Sequence, residues 1–319
     1  MLPAPTEIVA YSIPMRTRFR GITTREGALW RGPAGWVECS PFLDYAPREC
    51  VPWLRAAVDA AQSEFPEPVR DSIPVNCTVP AVGPERAAEI ARMSGGCRTA
   101  KVKVAEPGQS LSDDCDRVAA VRDALGEDGR IRVDANAGWD VSAAVDAITA
   151  LDRAAGGLEY VEQPCASVDD LAAVRRRVNV PIAADESIRR ADDPLLVQQK
   201  DAADIAIIKV QPLGGVRATL ALAERLTMPL VVSSALETSI GLAMSVAVAA
   251  ALPELPYACG LNTVRLLAAD TCSDSLVASG GEISVPEVRP VPDLLDGVRA
   301  DDDTYRRWIG RLQAIEAAS

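Results

Sequence analysis

The sequence predicts an α/β protein in which strands and helices alternate around a closed parallel barrel. Between positions 74 and 261, short runs rich in β-branched residues alternate with stretches of helical spacing. Apolar residues make up 48% of the 319 residues and aromatic residues only 4%, so Ala, Val, Leu and Ile must fill the core, as in a buried parallel sheet. The sequence lacks the glycine-rich phosphate turn of a doubly wound sheet, which favours a barrel.

The first 72 residues lack the regular strand–helix alternation of the central region and are expected to form a small α+β domain, 1–72. Polar and apolar residues alternate at 16–20, and a second strand is expected at 35–39. A helix is expected at 56–63, before a proline-containing linker.

The central region, 73–262, is expected to form the barrel, and the tail, 263–319, to return to the small domain. Eight strands are expected, at 74–79, 100–105, 131–134, 158–162, 182–185, 205–210, 230–233 and 257–261. Helices between them are expected at 116–125, 141–151 and 216–226, with start signals at Ser112, Ser167 and Asp192. The tail is expected to carry a short strand at 282–285 and a final helix from Asp303.

Composition excludes several classes of function. The formal charge of −12 leaves no broad basic field for nucleic acid. The longest apolar run, 240–252, is too short to span a bilayer, and the N-terminus has no signal-peptide pattern, so a cytoplasmic protein without a membrane partner is expected. The eight cysteines include no CxxC pair and are expected to be reduced and buried. No obligate protein partner is evident.

The chain contains no histidine. This excludes Ser-His-Asp and Cys-His hydrolysis and histidine-ligated zinc. Any acid–base chemistry must therefore use Lys, Asp, Glu, Tyr or Cys.

Three successive predicted strands end in a carboxylate, at Asp134, Glu162 and Asp185. The first two are 28 residues apart and the last two 23, which is one strand–helix unit each. The carboxyl ends of parallel barrel strands share one rim, where active sites lie. Adjacent carboxylates repel each other unless a cation neutralises them, and oxygen ligands favour Mg²⁺ or Mn²⁺.

Lysines flank these carboxylates on the same predicted rim. Lys101 and Lys103 share one face of the second strand, and Lys209 ends the sixth. A lysine becomes a useful base when a neighbouring ammonium and a metal lower its pKa, and Lys101 beside Lys103 provides that arrangement. The sequence therefore predicts proton abstraction next to the carboxylate of a small substrate, with the cation stabilising the resulting charge.

Five short motifs in this order resemble the enolase superfamily, in particular its muconate-lactonizing-like group. They are Lys-x-Lys at 101–103, Asp-Ala-Asn at 134–136, Glu-Gln-Pro at 162–164, Asp-Glu-Ser at 185–187 and Ile-Lys at 208–209. The resemblance implies a (β/α)7β TIM-like barrel with a small α+β capping domain formed by the N-terminal region and the C-terminal tail. It also implies Mg²⁺ bound by Asp134, Glu162 and Asp185, in line with the lysine base and Mg²⁺ known for this superfamily.

Four further stretches resemble the o-succinylbenzoate synthase family of the menaquinone pathway in its actinobacterial form. They lie at 13–15, 35–41, 233–239 and 260–263. The resemblance implies a Mg²⁺-dependent syn-dehydration of 2-succinyl-6-hydroxy-2,4-cyclohexadiene-1-carboxylate to 2-succinylbenzoate. It implies Lys103 as the base, Lys209 as an opposing fixed cation and Lys101 as the group that tunes Lys103. The implied substrate contacts are Asn136, Ser233, Ser234 and Gly260.

Two other functions stay open on the residues alone. An N-acylamino-acid racemase would use Lys103 and Lys209 as bases on opposite faces of one α-carbon, and a Schiff-base aldolase would use Lys209. Substrate contacts from the segment 16–27 also stay open. The arginines at 16, 18 and 20 are expected to be exposed on a strand, with a carboxylate clamp as the alternative.

Overall fold

The N-terminal region forms a three-stranded antiparallel sheet followed by a helix. The computed structural model describes residues 2–191 and 193–319. The elements of this region are β1 (Val9–Phe19), β2 (Ile22–Gly32), β3 (Gly35–Cys39) and α1 (Val51–Gln62). The predicted strand at 16–20 is the end of a longer β1, and the central strand β2 was not predicted from the sequence. Gly35 begins β3 at a φ of 129°, a conformation that favours glycine.

Seven parallel strands form the barrel sheet, and each pairs with its neighbour in chain order. They are β5 (Cys77–Val79), β6 (Thr99–Lys103), β7 (Arg130–Asp134), β8 (Tyr160–Glu162), β9 (Ile182–Ala184), β10 (Ile205–Lys209) and β11 (Leu230–Ser233). The first barrel strand was predicted at 74–79, but Pro74 ends a separate short strand, β4 (Ser72–Pro74). The predicted α/β barrel is confirmed.

The barrel closes through two residues rather than a full eighth strand. Cys259 forms a parallel bridge with Val75, and Gly260 forms one with Ser233. The strand expected at 257–261 is thus reduced to this contact. A Cβ atom on Gly260 would lie 2.5 Å from Ser233 Oγ, so only glycine allows the two backbones to approach this closely.

The helices occupy the expected places between the strands, with longer bounds in two cases. They are α2 (Pro84–Arg92), α3 (Leu111–Leu125), α4 (Val141–Ala155), α5 (Val168–Arg175), α6 (Glu186–Arg189), α7 (Leu196–Gln199), α8 (Val216–Ala223) and α9 (Ser239–Ala251). The start predicted at Ser112 is wrong, because the side chain of Ser110 caps α3 by accepting from Asp113 N. Ser167 caps α5 as predicted, and Asp192 lies outside the described residues.

The C-terminal tail packs against the N-terminal region. β12 (Glu282–Ser284) pairs antiparallel with β4, and α10 (Asp302–Ala317) lies against β1 and α1. Trp308 of α10 is fully buried and donates from Nε1 to Glu26 on β2 at 3.1 Å. The three domain boundaries stay a prediction.

The longest apolar run forms α9, whose side chains are buried almost all round. No helix within residues 2–191 and 193–319 combines the length and apolarity needed to cross a membrane. All eight cysteines are free thiols, and seven of them are buried, so they serve as small core residues.

A buried polar network joins the N-terminal sheet to the loop between β11 and α9. We call it the interface network, and it comprises Tyr11, Arg25, Glu38, Ser40 and Thr238 with the backbone of residues 235–241. Arg25 donates to the carbonyls of Leu236 at 2.9 Å and Ala235 at 3.1 Å. Glu38 accepts from Thr238 N at 3.1 Å and Gly241 N at 3.2 Å, so a carboxylate of the N-terminal sheet caps a barrel helix.

Candidate active site

A row of charged side chains crosses three adjacent strands at the carboxyl rim of the barrel. Lys103 of β6 pairs in register with Asp134 of β7, and Asp134 pairs with Glu162 of β8. Residues at the same level on neighbouring strands lie side by side. The spacing that predicted one shared rim therefore brings these three side chains into a single row.

Two further strands extend this row. Asp185 follows β9 directly and is fully buried. Lys209 at the end of β10 donates from Nζ to Asp185 Oδ2 at 2.5 Å, and Arg189 of α6 donates from Nε to Asp185 Oδ1 at 2.8 Å. We use the name catalytic cluster for Lys101, Lys103, Asp134, Glu162, Asp185 and Lys209.

The two lysines of β6 have opposite pKa shifts. Burial lowers the pKa of Lys101, but the carboxylates of Glu162 and Asp134 outweigh it and raise the pKa; Lys101 Nζ lies 3.0 Å from Glu162 Oε1 and 3.3 Å from Asp134 Oδ2. Burial also lowers the pKa of Lys103, and here Lys101 adds to the lowering against the opposing charge of Asp134. Lys103 is therefore the one better suited to act as a base.

The three carboxylates also have pKa shifts in opposite directions. Burial opposes ionisation of all three, but Lys103 and Lys101 lower the pKa of Asp134, and Arg189 and Lys209 lower that of Asp185. Burial and the charge of Asp134 raise the pKa of Glu162 to about 7. Of the three buried carboxylates, Glu162 is thus the one whose negative charge is least favoured by its surroundings.

The donor set of the cluster fits a hard divalent cation. Three buried carboxylates supply oxygen ligands from neighbouring strand ends, the chemistry that Mg²⁺ or Mn²⁺ requires. Within the described part of the chain no three ligating side chains form a ready-made metal group; Lys101, Lys103 and Lys209 form ion pairs with these carboxylates instead. The three carboxylates are thus already balanced by positive charge, and a divalent cation would share that role.

A small pocket of about 40 Å³ lies above the cluster. Of the ten residues predicted for the site, seven line this pocket: Lys101, Lys103, Asn136, Lys209, Ser233, Ser234 and Gly260. The other three are the carboxylates beneath it, which contact its lysines. Asn136 accepts a hydrogen bond from Lys103 Nζ through Oδ1. The structure thus brings all ten predicted residues together.

Sequence reasoning missed most of the pocket wall that comes from the N-terminal sheet. Phe19, Arg20 and Phe42 line the pocket; the guanidinium of Arg20 lies 4.1 Å from the ring centroid of Phe42, and Lys103 Nζ lies 5.2 Å from that of Phe19. Strand alternation had grouped Arg20 with Arg16, but Arg20 stands in the turn after β1 at a φ of 52°. That turn redirects its side chain, and Gly21 was the one signal for it.

Five further residues of the pocket were also not predicted: Thr78, Arg189, Ala235, Leu236 and Thr263. Thr78 lies on β5 and Arg189 on α6, and both line the pocket. Arg189 donates from Nη1 to the hydroxyl of Tyr45 at 2.6 Å, so it links the N-terminal region to Asp185. The Asp-Glu-Ser motif ends two residues before Arg189, and helical spacing from Asp185 was the available signal.

Comparison with known proteins gives matches over nearly the whole chain. Residues 85–290 match the enolase C-terminal domain-like family, and residues 10–61 match the enolase N-terminal domain-like family. The o-succinylbenzoate synthase of Thermobifida fusca (strain YX) is 61% identical over 97% of this chain and 96% of the relative. The o-succinylbenzoate synthase of Mycobacterium leprae (strain TN) is 51% identical over 98% and 93%.

Solved structures share the fold at lower identity. Muconate cycloisomerase from Pseudomonas fluorescens has a TM-score of 0.76 at 22% identity and covers 92% of this chain and 98% of its own. The L-Ala-D/L-Glu epimerase from Bacillus subtilis has a TM-score of 0.75 at 24% identity and covers 89% and 96%. These similarities show a common architecture of capping region and barrel.

Proposed function

The chain belongs to the enolase superfamily and within it to the o-succinylbenzoate synthase family, and we propose that the catalytic cluster carries out the dehydration with the help of Mg²⁺. The reaction converts 2-succinyl-6-hydroxy-2,4-cyclohexadiene-1-carboxylate into 2-succinylbenzoate. A C–H bond next to the ring carboxylate and a C–O bond break, a C=C bond forms, and water leaves. The product ring is aromatic, which makes the elimination favourable.

Lys103 is proposed as the base that takes the proton next to the ring carboxylate. It lines the pocket, and burial and Lys101 lower its pKa. A lowered pKa makes the neutral amine, the form that accepts a proton, more accessible. Once protonated, Lys103 would return that proton to the departing hydroxyl, as a syn elimination by one residue requires.

The remaining pocket residues are proposed to position the substrate. Lys209 reaches the pocket from β10 and would act as a fixed cation towards the ring. Lys101 keeps the pKa of Lys103 low and neutralises Glu162. Asn136 would orient Lys103, and Ser233, Ser234 and Gly260 would contact the part of the succinyl tail next to the ring.

Asp134, Glu162 and Asp185 are proposed to hold the Mg²⁺ ion. When bound, the ion supplies positive charge that stabilises the negative charge developing on the substrate carboxylate. Burial of the three carboxylates excludes water from their oxygens. Glu162 gains most from the ion, because its pKa of about 7 otherwise leaves it partly protonated.

One observation carries this proposal: Lys103 of β6 and Lys209 of β10 line one pocket directly above three buried carboxylates. The test is turnover of the cyclohexadiene substrate by the protein with Mg²⁺ and after EDTA treatment. We expect turnover with Mg²⁺ and a loss that added Mg²⁺ restores. Full activity in EDTA would show that the cation has no part in the reaction.

The lysine pair also supports N-acylamino-acid racemisation as a second candidate. Lys103 and Lys209 both line the pocket, and two bases on opposite faces of an α-carbon are what racemisation needs. Exchange of the α-proton of an N-succinylamino acid in D₂O tests this candidate beside the dehydration. Exchange at a rate comparable with dehydration would establish a second activity of the same site.

The structure gives no support to the Schiff-base alternative. Lys209 Nζ donates to Asp185 Oδ2 at 2.5 Å, so this amine is engaged with a carboxylate rather than free to attack a carbonyl. Borohydride trapping with a carbonyl substrate is expected to leave the protein unlabelled.

A further inference from the structure

A second, much larger cleft adjoins the catalytic pocket. It has a volume of about 550 Å³ and lies between β1, α2 and the segment 262–277. Three arginines line it, Arg16, Arg86 and Arg265, and we call it the arginine cleft. Small-molecule sites typically have volumes of about 300–1,000 Å³, so the arginine cleft has room for a substituent that extends beyond the catalytic pocket of about 40 Å³.

The cleft and the pocket share a wall. Thr78 at the centre of β5 lines both cavities. Asn262 lines the cleft, and its neighbour Thr263 lines the pocket. On β1, Thr17 lines the cleft and Phe19 lines the pocket. A long substituent of a substrate whose ring lies above the lysines would find open space in the arginine cleft, on the far side of Thr78.

The hydroxyl of Thr78 is ready to bind a ligand. Thr78 is 4% exposed, and its Oγ1 has no hydrogen-bond partner among the described residues. A buried hydroxyl without a partner costs about 1–3 kcal/mol. The position between the two cavities gives this hydroxyl a partner when a polar ligand passes from one to the other.

The charge of the cleft selects an anion. Arg86 is paired with Glu89 at 2.5 Å, and Arg265 donates to the carbonyls of Met93 and Ala278. Asp270, the other acidic group of the cleft, is held by Ser239 and Thr271. Arg16 has one hydrogen bond within the described residues, from Nη2 to Ala268 O at 3.3 Å, which leaves most of its five N–H donors available.

We propose that the arginine cleft is the subsite for the terminal carboxylate of the succinyl tail, with Arg16 binding that carboxylate and Thr78 donating to the tail where it leaves the catalytic pocket. This inference rests on the proposed function. It assigns the two ends of a dicarboxylate to two different sites. The ring carboxylate lies at the catalytic cluster, and the tail carboxylate lies at a surface arginine that is free to meet it. In a chain of formal charge −12, the arginines of the cleft also attract the dianion.

The test combines a variant with a change in the substrate. Turnover with Mg²⁺ is measured for the natural substrate and for an analogue whose tail carboxylate is a carboxamide, with wild type, Arg16→Ala and Arg18→Ala. Arg18 is exposed on the same strand and serves as the matched control. For the natural substrate we expect Arg16→Ala to lower kcat/KM about 10- to 100-fold, the range of lost charge-assisted hydrogen bonds, mainly through KM. For the carboxamide we expect less than a twofold change.

Equal effects of Arg16→Ala on the two substrates, or no effect on either, would overturn the subsite while leaving the dehydration intact. Absence of turnover by the wild type with Mg²⁺ would instead overturn the proposed function, so the two failures are distinguishable.

Thr78→Val provides an independent measurement. The substitution keeps the shape and removes only the unpartnered hydroxyl, so we expect kcat/KM to fall about tenfold while the thermal midpoint stays equal or rises. Thr78→Ser should restore activity. A lowered thermal midpoint with unchanged kcat/KM would show that the hydroxyl serves the fold and not the ligand.

Discussion

The catalytic cluster and the interface network are both buried and charged, but they satisfy their charges in different ways. In the catalytic cluster, lysines and carboxylates neutralise one another, as in the contact of Lys103 Nζ with Asp134 Oδ2 at 2.5 Å. In the interface network, Arg25 and Glu38 bind mainly backbone groups and hydroxyls of a neighbouring element. Side-chain pairs can exchange partners when a cation and a substrate arrive, whereas bonds to backbone hold two elements together. The first arrangement serves chemistry, and the second serves assembly.

The largest expected effect is on activity, in the catalytic cluster. Lys103→Ala removes the proposed base and should lower kcat about 10²- to 10⁴-fold. Lys200→Ala is the matched control, because Lys200 forms an exposed ion pair with Asp169 at 2.6 Å. Steady-state turnover with Mg²⁺ measures both variants. Full activity of the Lys103→Ala protein would contradict the proposal that Lys103 is the base.

The next effect is on stability, in the interface network. Arg25→Ala leaves the buried carbonyls of Ala235 and Leu236 without their donor, and at about 1–3 kcal/mol for each unpaired group we expect a loss of about 3 kcal/mol in the free energy of unfolding. Urea unfolding followed by circular dichroism measures it against the exposed Arg18→Ala variant. Equal midpoints for the two variants would contradict a structural role for the network.

A third prediction concerns pH and the loop that the network holds. Burial and the charge of Glu38 raise the pKa of Glu237 to about 7, whereas an unfolded chain releases this proton near about 4.3. Folding therefore favours the protonated form, so its stabilising contribution is complete below about pH 4.3 and is lost as the pH rises to about 7.

Glu237→Gln lacks this titration. Relative to that variant, the wild type should lose about 3 kcal/mol of stability between pH 4 and pH 8, at 1.36 kcal/mol for each pKa unit. Urea unfolding of both proteins at several pH values measures the difference. A difference that does not change with pH would show that Glu237 does not titrate in this range.

The smallest effect expected is at the edge of the network. The hydroxyl of Tyr11 donates to Glu38 Oε1 at 2.8 Å, and Ser40 donates to the same oxygen at 2.6 Å. Tyr11→Phe removes one of several donors and keeps the buried ring, so we expect a loss of about 1–2 kcal/mol in stability and kcat/KM within twofold of wild type. A tenfold loss of kcat/KM would mean that the network also controls the catalytic pocket.

The two regions also differ in how far sequence could predict them. The catalytic cluster was predictable because parallel strands of one barrel end at a common rim, so that a carboxylate or lysine at each strand end implies a shared site. The interface network was not predictable. Arg25 and Glu38 lie on strands without a clear alternating pattern, and their partners, near Thr238, are about 200 residues away in the chain.

The same distinction separates what was right from what was wrong in the fold. The alternation of strands and helices predicted the barrel, but it did not predict that Cys259 and Gly260 alone would close it. Strand β2 was missed because its residues 27–30 are buried in succession, and contact with β1 and β3 rather than a clear alternation holds it in place. The turn at Arg20 and Gly21 brings Arg20 to the pocket, whereas the arginines at 16, 18 and 20 were expected to be exposed on a strand.

The sequence by itself determined the barrel and the six charged residues at its rim, and in a chain without histidine it predicted lysine as the base. These follow from local periodicity and from the chemistry of each residue type. Only the tertiary structure decided which residues of the N-terminal sheet cover the pocket, that Thr78 separates it from the arginine cleft, and that Arg16 faces that cleft. Such contacts join segments distant in the chain, and their geometry depends on how whole elements pack rather than on any local pattern.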